Sequence, residues 1–190
     1  MGKTLPALDA VLTRFLQRQH VFFVATAPSE GEGHINLSPK GYDTFQVLGP
    51  NEVAYLDLTG SGAETIAHLR DNGRITLLFC ALDGKPNLVR LYGRGEVVQA
   101  GHPRFEELVA KFPPNRGARA VIRVDLERVA TSCGYSVPRY VYEGERPTLD
   151  EWTERKSDGQ LAAYRAANNA RSIDGLPALD GLAARTADTG

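Results

Sequence analysis

The sequence predicts a mainly β protein built on an antiparallel barrel, with helices towards both ends of the chain. From Val21 to about Gln99, short runs rich in β-branched and aromatic residues are divided by Gly, Pro, Asn and Asp. One helical stretch, about Ala63–Asp71, interrupts these runs. Parallel pairing would need a crossover after nearly every strand, so the pattern favours antiparallel pairing. A barrel would also leave few strand edges exposed.

The predicted strands are short and are bounded by turn residues. They are Val21–Ala27, His34–Pro39, Thr44–Leu48, Val53–Leu58, Ile75–Ala81, Leu88–Gln99 and Ala118–Val129. Apolar residues at three-and-four spacing predict an amphipathic first helix over Leu5–Leu16 and another helix over Pro103–Phe112. After Pro138, two short helical pieces separated by Gly159 are expected.

The length of 190 residues fits one domain, which would bury roughly 70% of the surface of its unfolded chain. We assign residues 1–138 to the barrel with its N-terminal helix and residues 139–179 to a helical appendage of the same domain. Residues 180–190 are predicted to be a disordered tail.

Composition excludes several classes of function. The formal net charge of −1 gives no global attraction to nucleic acid or to an anionic membrane. The N-terminus lacks the uninterrupted apolar run of a signal peptide, and no run approaches the roughly 20 apolar residues of a membrane span. Cys80 and Cys133 have no CxxC spacing, which favours reduced thiols and a cytoplasmic location. The four histidines lack ligand spacing, so no metal site is predicted.

The turn from Leu58 to Thr65 has two interpretations. It is rich in Gly and Ser and leads from a strand into a helix, where free backbone amides attract a phosphate. Alternatively, Ser61 and Glu64 form a capping box that satisfies the same amides internally, and spacing alone slightly favours this second interpretation. A Rossmann site is rejected, because the third glycine of the fingerprint is absent and no βαβ unit is predicted.

Three further segments carry candidate groups. Ser38-Pro39-Lys40-Gly41 either contacts a phosphate or an electron-rich ring, or is an exposed turn with a solvated lysine. Arg90 lies on the polar face of its strand and either reaches an anionic ligand or pairs with a surface carboxylate. The Cys133–Pro138 segment is either a catalytic loop or, as a lone cysteine favours, the site of an inert packed thiol.

The order of these motifs resembles that of the pyridoxamine 5′-phosphate oxidase-like, FMN-binding split-barrel proteins. The resemblance runs from about Phe15 to Val129, and its motifs are Ser38–Tyr42, Tyr55–Gly62, Arg74–Phe79 and Arg90–Gly95. Cys133–Pro138 and Asn169–Pro177 resemble the C-terminal part of one uncharacterised branch of that family.

The resemblance implies an antiparallel split barrel that binds FMN in a groove between the two subunits of a homodimer. The site residues that it implies include two strand contacts, a stretch beside the ring system, the phosphate turn and a polar strand position facing the phosphate. The strand contacts are Ser38 and Lys40, and the stretch beside the ring system is Tyr55, Leu56 and Asp57. The phosphate turn contributes Thr59, Ser61 and Gly62, and the polar strand position is Arg90.

The predicted function is that of an FMN-dependent oxidoreductase acting on an unknown small molecule. Two departures argue against oxidation of pyridoxamine phosphate itself. Ser61 and Gly62 stand where vitamin-converting members have basic residues, and the substrate-binding Trp and Arg segment has no clear match. The alternatives are a carrier that holds a flavin, a deazaflavin or haem without turnover, and a structural dimer with a vacated site.

Overall fold

Eight strands form one antiparallel sheet in the computed structural model, which describes residues 2–29 and 31–181. They are β1 (Lys3–Leu5), β2 (Phe22–Thr26), β3 (Asn36–Lys40), β4 (Phe45–Gly49), β5 (Glu52–Leu58), β6 (Arg74–Cys80), β7 (Leu88–Val98) and β8 (Ala118–Ser132). The strand order is β3-β2-β6-β7-β8-β5-β4, and β1 pairs with β8. The predicted mainly β, antiparallel fold is confirmed.

The sheet is curled, so that its two halves face each other across one apolar core. The Phe22 ring of β2 lies 5.5 Å from the Phe45 ring of β4 and 5.6 Å from the Tyr55 ring of β5, measured between centroids. Within the described residues, β3 and β4 lie at opposite ends of the strand path and do not pair with each other. The result is an open, split barrel whose gap lies beside β3.

Strand β5 is buried on both of its faces. Val53, Tyr55 and Asp57 point to the inner side, where Val53 and Tyr55 join the main core. Ala54 and Leu56 point to the outer side and pack in a second apolar cluster. This explains the unbroken buried run along the strand, which a strand covered on one face would not show.

Five helices flank the sheet: α1 (Ala10–Gln17), α2 (Glu64–Asn72), α3 (Phe105–Val109), α4 (Thr148–Glu154) and α5 (Asp158–Asn168). Helix α2 packs its buried residues against the main core, and α3 packs on the outer cluster through Leu108. No helix within the described ranges is long and apolar enough to span a membrane.

The first helix begins later than its periodicity predicted. The Asp9 side chain accepts hydrogen bonds from the amides of Val11 and Leu12, which fixes the helix start after it. Leu5, expected in the helix, instead lies in β1 opposite Val129 of β8. Leu5 matches the apolar spacing of the helix only by coincidence, since a leucine can be buried from a strand as well as from a helix.

The C-terminal helices also meet at a different residue. Gly159 was predicted to separate them but lies in the first turn of α5. Ser157 is the N-cap residue of this helix and forms a capping box with Gln160. Of the predicted tail over residues 180–190, only 180 and 181 are described, and the rest lies outside the described residues.

Candidate functional site

A cavity of about 750 Å³ lies between β3 and the start of α2. Its walls come from residues 34–40, from residues 58–65 and from a C-terminal segment that includes Arg171 and Ser172. Four of the residues predicted to form the site line this cavity: Ser38, Lys40, Ser61 and Gly62. Two motifs that are distant in sequence thus face one space.

The N-terminus of α2 opens onto this cavity without a side-chain cap. Its N-cap residue is Ala63, which has no side chain able to accept a hydrogen bond. The predicted capping box between Ser61 and Glu64 is wrong. The Glu64 carboxylate instead accepts a hydrogen bond from the backbone amide of Ile173, 3.2 Å away. It therefore does not cap the backbone amides at the start of α2.

Two carbonyl groups of the turn accept hydrogen bonds from buried or partly buried side chains. Asn169 Nδ2 donates to the carbonyl oxygen of Gly60 at 3.0 Å, and Arg119 donates to that of Gly62 at 2.9 Å. Because C=O and N–H point in opposite directions in a trans peptide, these bonds turn the amides of Ser61 and Ala63 away from the donors. The turn therefore presents hydrogen-bond donors suited to an anion.

Three charged side chains form a buried cluster at the gap in the barrel. Asp57 is fully buried, and its two carboxylate oxygens lie 3.0 Å from Lys40 Nζ and 2.7 Å from Arg119 Nε. Burial alone would raise the pKa of Asp57, but the charges of Lys40 and Arg119 outweigh it and hold the pKa below its usual value. Two cations share one carboxylate, so one positive charge remains uncompensated.

A β-bulge places Arg119 in this cluster. Asp57 pairs with Ala120 and Leu58 pairs with Ala118, so Arg119 has no partner opposite it. Ala120 packs in the inner core, and Arg119 points to the same side although it is the adjacent residue. The extra residue thereby re-aims a guanidinium that regular alternation would have placed on the outer face.

The other side chains on the inner face of β3 form a polar ladder. Ser38 Oγ donates to Asn36 Oδ1 at 3.0 Å, and Asn36 Nδ2 donates to Thr65 Oγ1 on α2 at 2.9 Å. Ile35 and Leu37 point outward and are exposed. The ladder and Lys40 make this strand a polar wall of the cavity.

The remaining predicted residues have other surroundings. Tyr55 is buried in the core, and its hydroxyl has no hydrogen-bond partner within the described ranges; burial raises the pKa of this phenol well above its usual value. Leu56 packs in the outer cluster. Thr59 donates to the carbonyl oxygen of Gly117 at 2.8 Å and accepts from Arg165 at 2.9 Å, so it anchors the turn from behind.

Arg90 is not brought to the cavity of its own chain. It lies on the outer face of β7, where its guanidinium donates to Ser132 Oγ at 3.1 Å. It also forms no ion pair with a carboxylate in the described part of the chain. Neither interpretation made from the sequence describes its contacts within a single chain.

The structure adds site residues that sequence reasoning did not single out. Arg119, Arg171 and Ser172 line the cavity. The Asn169–Pro177 segment had been noted only as a resemblance, and it contacts both walls: His34 Nδ1 lies 2.6 Å from Asp174, and Ile173 contacts Glu64.

The histidines and cysteines are candidate metal ligands, and the two cysteines are also a candidate disulfide pair. No group of three or more His, Cys, Asp or Glu side chains suited to a metal occurs in residues 2–29 and 31–181. Both cysteines are free, as expected. Cys133, however, is exposed rather than packed, because β8 ends at Ser132 and the chain leaves the sheet there.

Comparisons with known proteins agree with this architecture. Residues 8–133 match the family model for pyridoxamine 5′-phosphate oxidase. A curated relative, the pyridoxamine 5′-phosphate oxidase family protein ustO of Aspergillus flavus, is 42% identical over 179 residues, which cover 85% of this chain and 72% of the relative.

Among solved structures, two are similar in fold at 19% identity and a TM-score of 0.50 each. HupZ from Group A Streptococcus covers 64% of this chain and 91% of its own. A putative pyridoxamine 5′-phosphate oxidase from Lactobacillus delbrueckii covers 66% and 94%. With the family model matching most of its length and a relative aligned almost throughout, this chain belongs to the pyridoxamine 5′-phosphate oxidase family.

Proposed function

We propose that this protein is an FMN-binding flavoprotein and works as an oxidoreductase on a small molecule. The observation that carries the proposal is the uncompensated positive charge of the Lys40–Asp57–Arg119 cluster beside an uncapped helix start, in one cavity. Asp57 neutralises only one of the two cations, and Arg119 is almost fully buried, so the cluster favours an anion in the cavity even though Glu64 also lines it. FMN is the anionic cofactor that membership of this family implies.

The residues present fit that cofactor. The cavity of about 750 Å³ has the size of a small-molecule site. The amides of the turn around Ser61 and Gly62 would hold the phosphate, while Ser38 and Lys40 would contact the remainder of the cofactor. When bound, FMN supplies hydride or electron transfer. Lys40 would stabilise negative charge that develops on the ring, and no side chain need act as an acid or base.

We further propose a homodimer with a cofactor site between its subunits. Phe23, Leu78 and Arg90 stand side by side on the outer face of β2, β6 and β7, and all three are partly exposed. Such a mixed apolar and cationic face is suited to a second copy. In that arrangement Arg90 would serve the partner's site, which accounts for its distance from the cavity of its own chain. The two free thiols support a cytoplasmic location.

The experiment is to measure binding of FMN and riboflavin to the wild type and to Lys40→Ala and Arg90→Ala. Flavin fluorescence quenching gives both affinities, and circular dichroism checks that the variants fold. In Arg90→Ala, loss of one charge-assisted hydrogen bond to the phosphate, worth about 1.5–3 kcal/mol, should weaken FMN roughly tenfold to hundredfold and leave riboflavin nearly unchanged. Lys40→Ala removes a contact to the ring that both flavins share, so it should weaken both alike. Equal losses for both flavins in Arg90→Ala, or no binding of FMN by the wild type, would refute the phosphate assignment.

Two further measurements complete the test. Sedimentation at micromolar concentration should show a dimer, and a monomer that still holds flavin would contradict the shared site. The absorption spectrum of bound flavin should bleach with a chemical reductant and recover with an acceptor. A flavin that binds tightly but never turns over would favour the carrier alternative.

A further inference from the structure

A second cavity, of about 580 Å³, lies on the other side of Lys40. One wall is the end of β3 with the turn that follows it, and the opposite wall is residues 140–146, which have no helix or strand. We call this segment the strap. Pro39 and Lys40 line both cavities, so the two spaces meet at the same lysine.

The strap is fastened across the barrel at three points. Its Tyr140 amide donates to the carbonyl oxygen of Leu82 at 2.8 Å, and the Tyr42 hydroxyl donates to the carbonyl oxygen of Arg146. The Tyr142 ring stacks on the His20 ring at 3.6 Å between centroids, with 3° between the planes. The cavity that remains beneath the strap is thus a defined space.

The side chains of the strap are unusual for a surface segment. Tyr140, Val141 and Tyr142 are consecutive, and their exposures are 63%, 89% and 49%. Scattered exposed apolar residues are normal, whereas a contiguous run at the mouth of a cavity marks a binding surface.

The turn on the opposite wall has strained backbone. Tyr42 and Asp43 have φ angles of 63° and 52°, and within the described ranges they are the only non-glycine residues with positive φ. Adjacent left-handed residues that are not glycine are uncommon, and such outliers cluster at ligand sites. Here the conformation places the Tyr42 ring in the wall next to Lys40.

The chemistry of the walls defines a ligand class. Aromatic rings are contributed by His20, Tyr42, Tyr140 and Tyr142. Two arginines, Arg18 and Arg146, and two carboxylates, Asp83 and Glu145, also line the space. The Glu145 carboxylate accepts a hydrogen bond from the Tyr142 hydroxyl at 3.1 Å, whereas neither arginine forms an ion pair with any residue that the structure describes. Rings stack with planar aromatic groups, and a free guanidinium recognises a carboxylate.

We propose that this second cavity binds a planar aromatic carboxylate. That such a ligand is the substrate rests on the flavin function proposed above, whereas its binding does not. The ring would lie between the strap and the Tyr42 turn, and its carboxylate would contact Arg146 at the end of the strap. Lys40 would then separate the substrate space from the cofactor space.

Naphthoate is the probe, and its uncharged amide is the comparison ligand. Fluorescence titration should show saturable binding of naphthoate with or without FMN. Tyr142→Ala removes one aromatic contact and should weaken both probes about fivefold, whereas Arg146→Gln should weaken naphthoate alone. The matched controls are Tyr135→Ala and Arg139→Gln, which change the same residue types just before the strap at positions that do not line the cavity.

The outcomes separate the two proposals. Naphthoate binding without FMN binding would refute the flavin function and leave this site standing, whereas FMN binding without saturable naphthoate binding would overturn the site. Competition between naphthoate and FMN would place the probe in the first cavity and equally overturn it. A shift from dimer to monomer in Tyr142→Ala, with unchanged naphthoate affinity, would assign the strap to a subunit contact instead.

Discussion

Replacement of Asp57 by Asn tests whether the buried charge cluster is held by its single carboxylate. The change leaves Lys40 and Arg119 without their shared anion. Lys40 can move towards solvent, but the Arg119 side chain is only 5% exposed and has no such route. Removal of one partner from a buried ion pair costs about 3–5 kcal/mol, because the remaining charge is left desolvated.

A loss of that size is readily measured. At about 2–4 °C per kcal/mol for a chain of this length, Asp57→Asn should lower Tm by about 6–20 °C. The matched control is Asp158→Asn, because Asp158 lies 2.7 Å from Arg116, the same distance that separates Asp57 from Arg119. Asp158 is 95% exposed, so its replacement should cost less than 1 kcal/mol.

The pH dependence gives an independent check. The pKa of Asp57 is lowered in the fold, so its stabilising contribution is present above the ordinary pKa of an aspartate and is lost as the pH falls through the lowered value. The difference in stability between wild type and Asp57→Asn should therefore shrink only below about pH 4. Equal Tm losses for the two Asn variants, or a gap that does not change in acid, would refute the reasoning.

Three other predictions concern the first cavity and the two cysteines. Glu64→Gln removes a negative charge beside the phosphate turn and should tighten FMN about two- to fivefold without affecting riboflavin, whereas Asp71→Asn in the last turn of the same helix should change neither. Asn169→Leu, which removes the donor to the turn carbonyls, should cost about 1–3 kcal/mol in urea unfolding and weaken FMN more than riboflavin. Thiol titration should find two thiols per denatured chain, but only Cys133 should react quickly in the native protein, because Cys80 is buried and burial raises the pKa of its thiol.

Alternation and turn chemistry were sufficient to predict most of the sheet. In β7, the side chains of Val89 and Leu91 are fully buried while those of Arg90 and Tyr92 are partly exposed, as period-two patterning requires. The start of α1 was less predictable, since Leu5 fits a helical stripe and only the N-cap at Asp9 excludes it. Periodicity indicates which side chains are buried, but it does not indicate where the backbone changes from strand pairing to helical hydrogen bonds.

The site was predicted in part for a similar reason. Ser38 and Lys40 on one strand, and Ser61 and Gly62 in one turn, are local features that spacing can identify. Arg119 reaches the cavity only through a bulge, and the alternation rule would have assigned it to the opposite face. The capping-box prediction failed because Glu64 has a competing partner, Ile173, more than a hundred residues away.

The part of the chain beyond the family match completes both cavities. The family model ends at residue 133, yet one wall of the first cavity includes Arg171 and Ser172, and one wall of the second is the strap. Asp174 and Asn169 tie the C-terminal segment to both walls of the first cavity, through His34 and Gly60. The barrel thus supplies most of the lining of the first cavity, while residues after 133 complete it and form one wall of the second. Differences in ligand between this chain and other members should therefore originate mainly in these later segments.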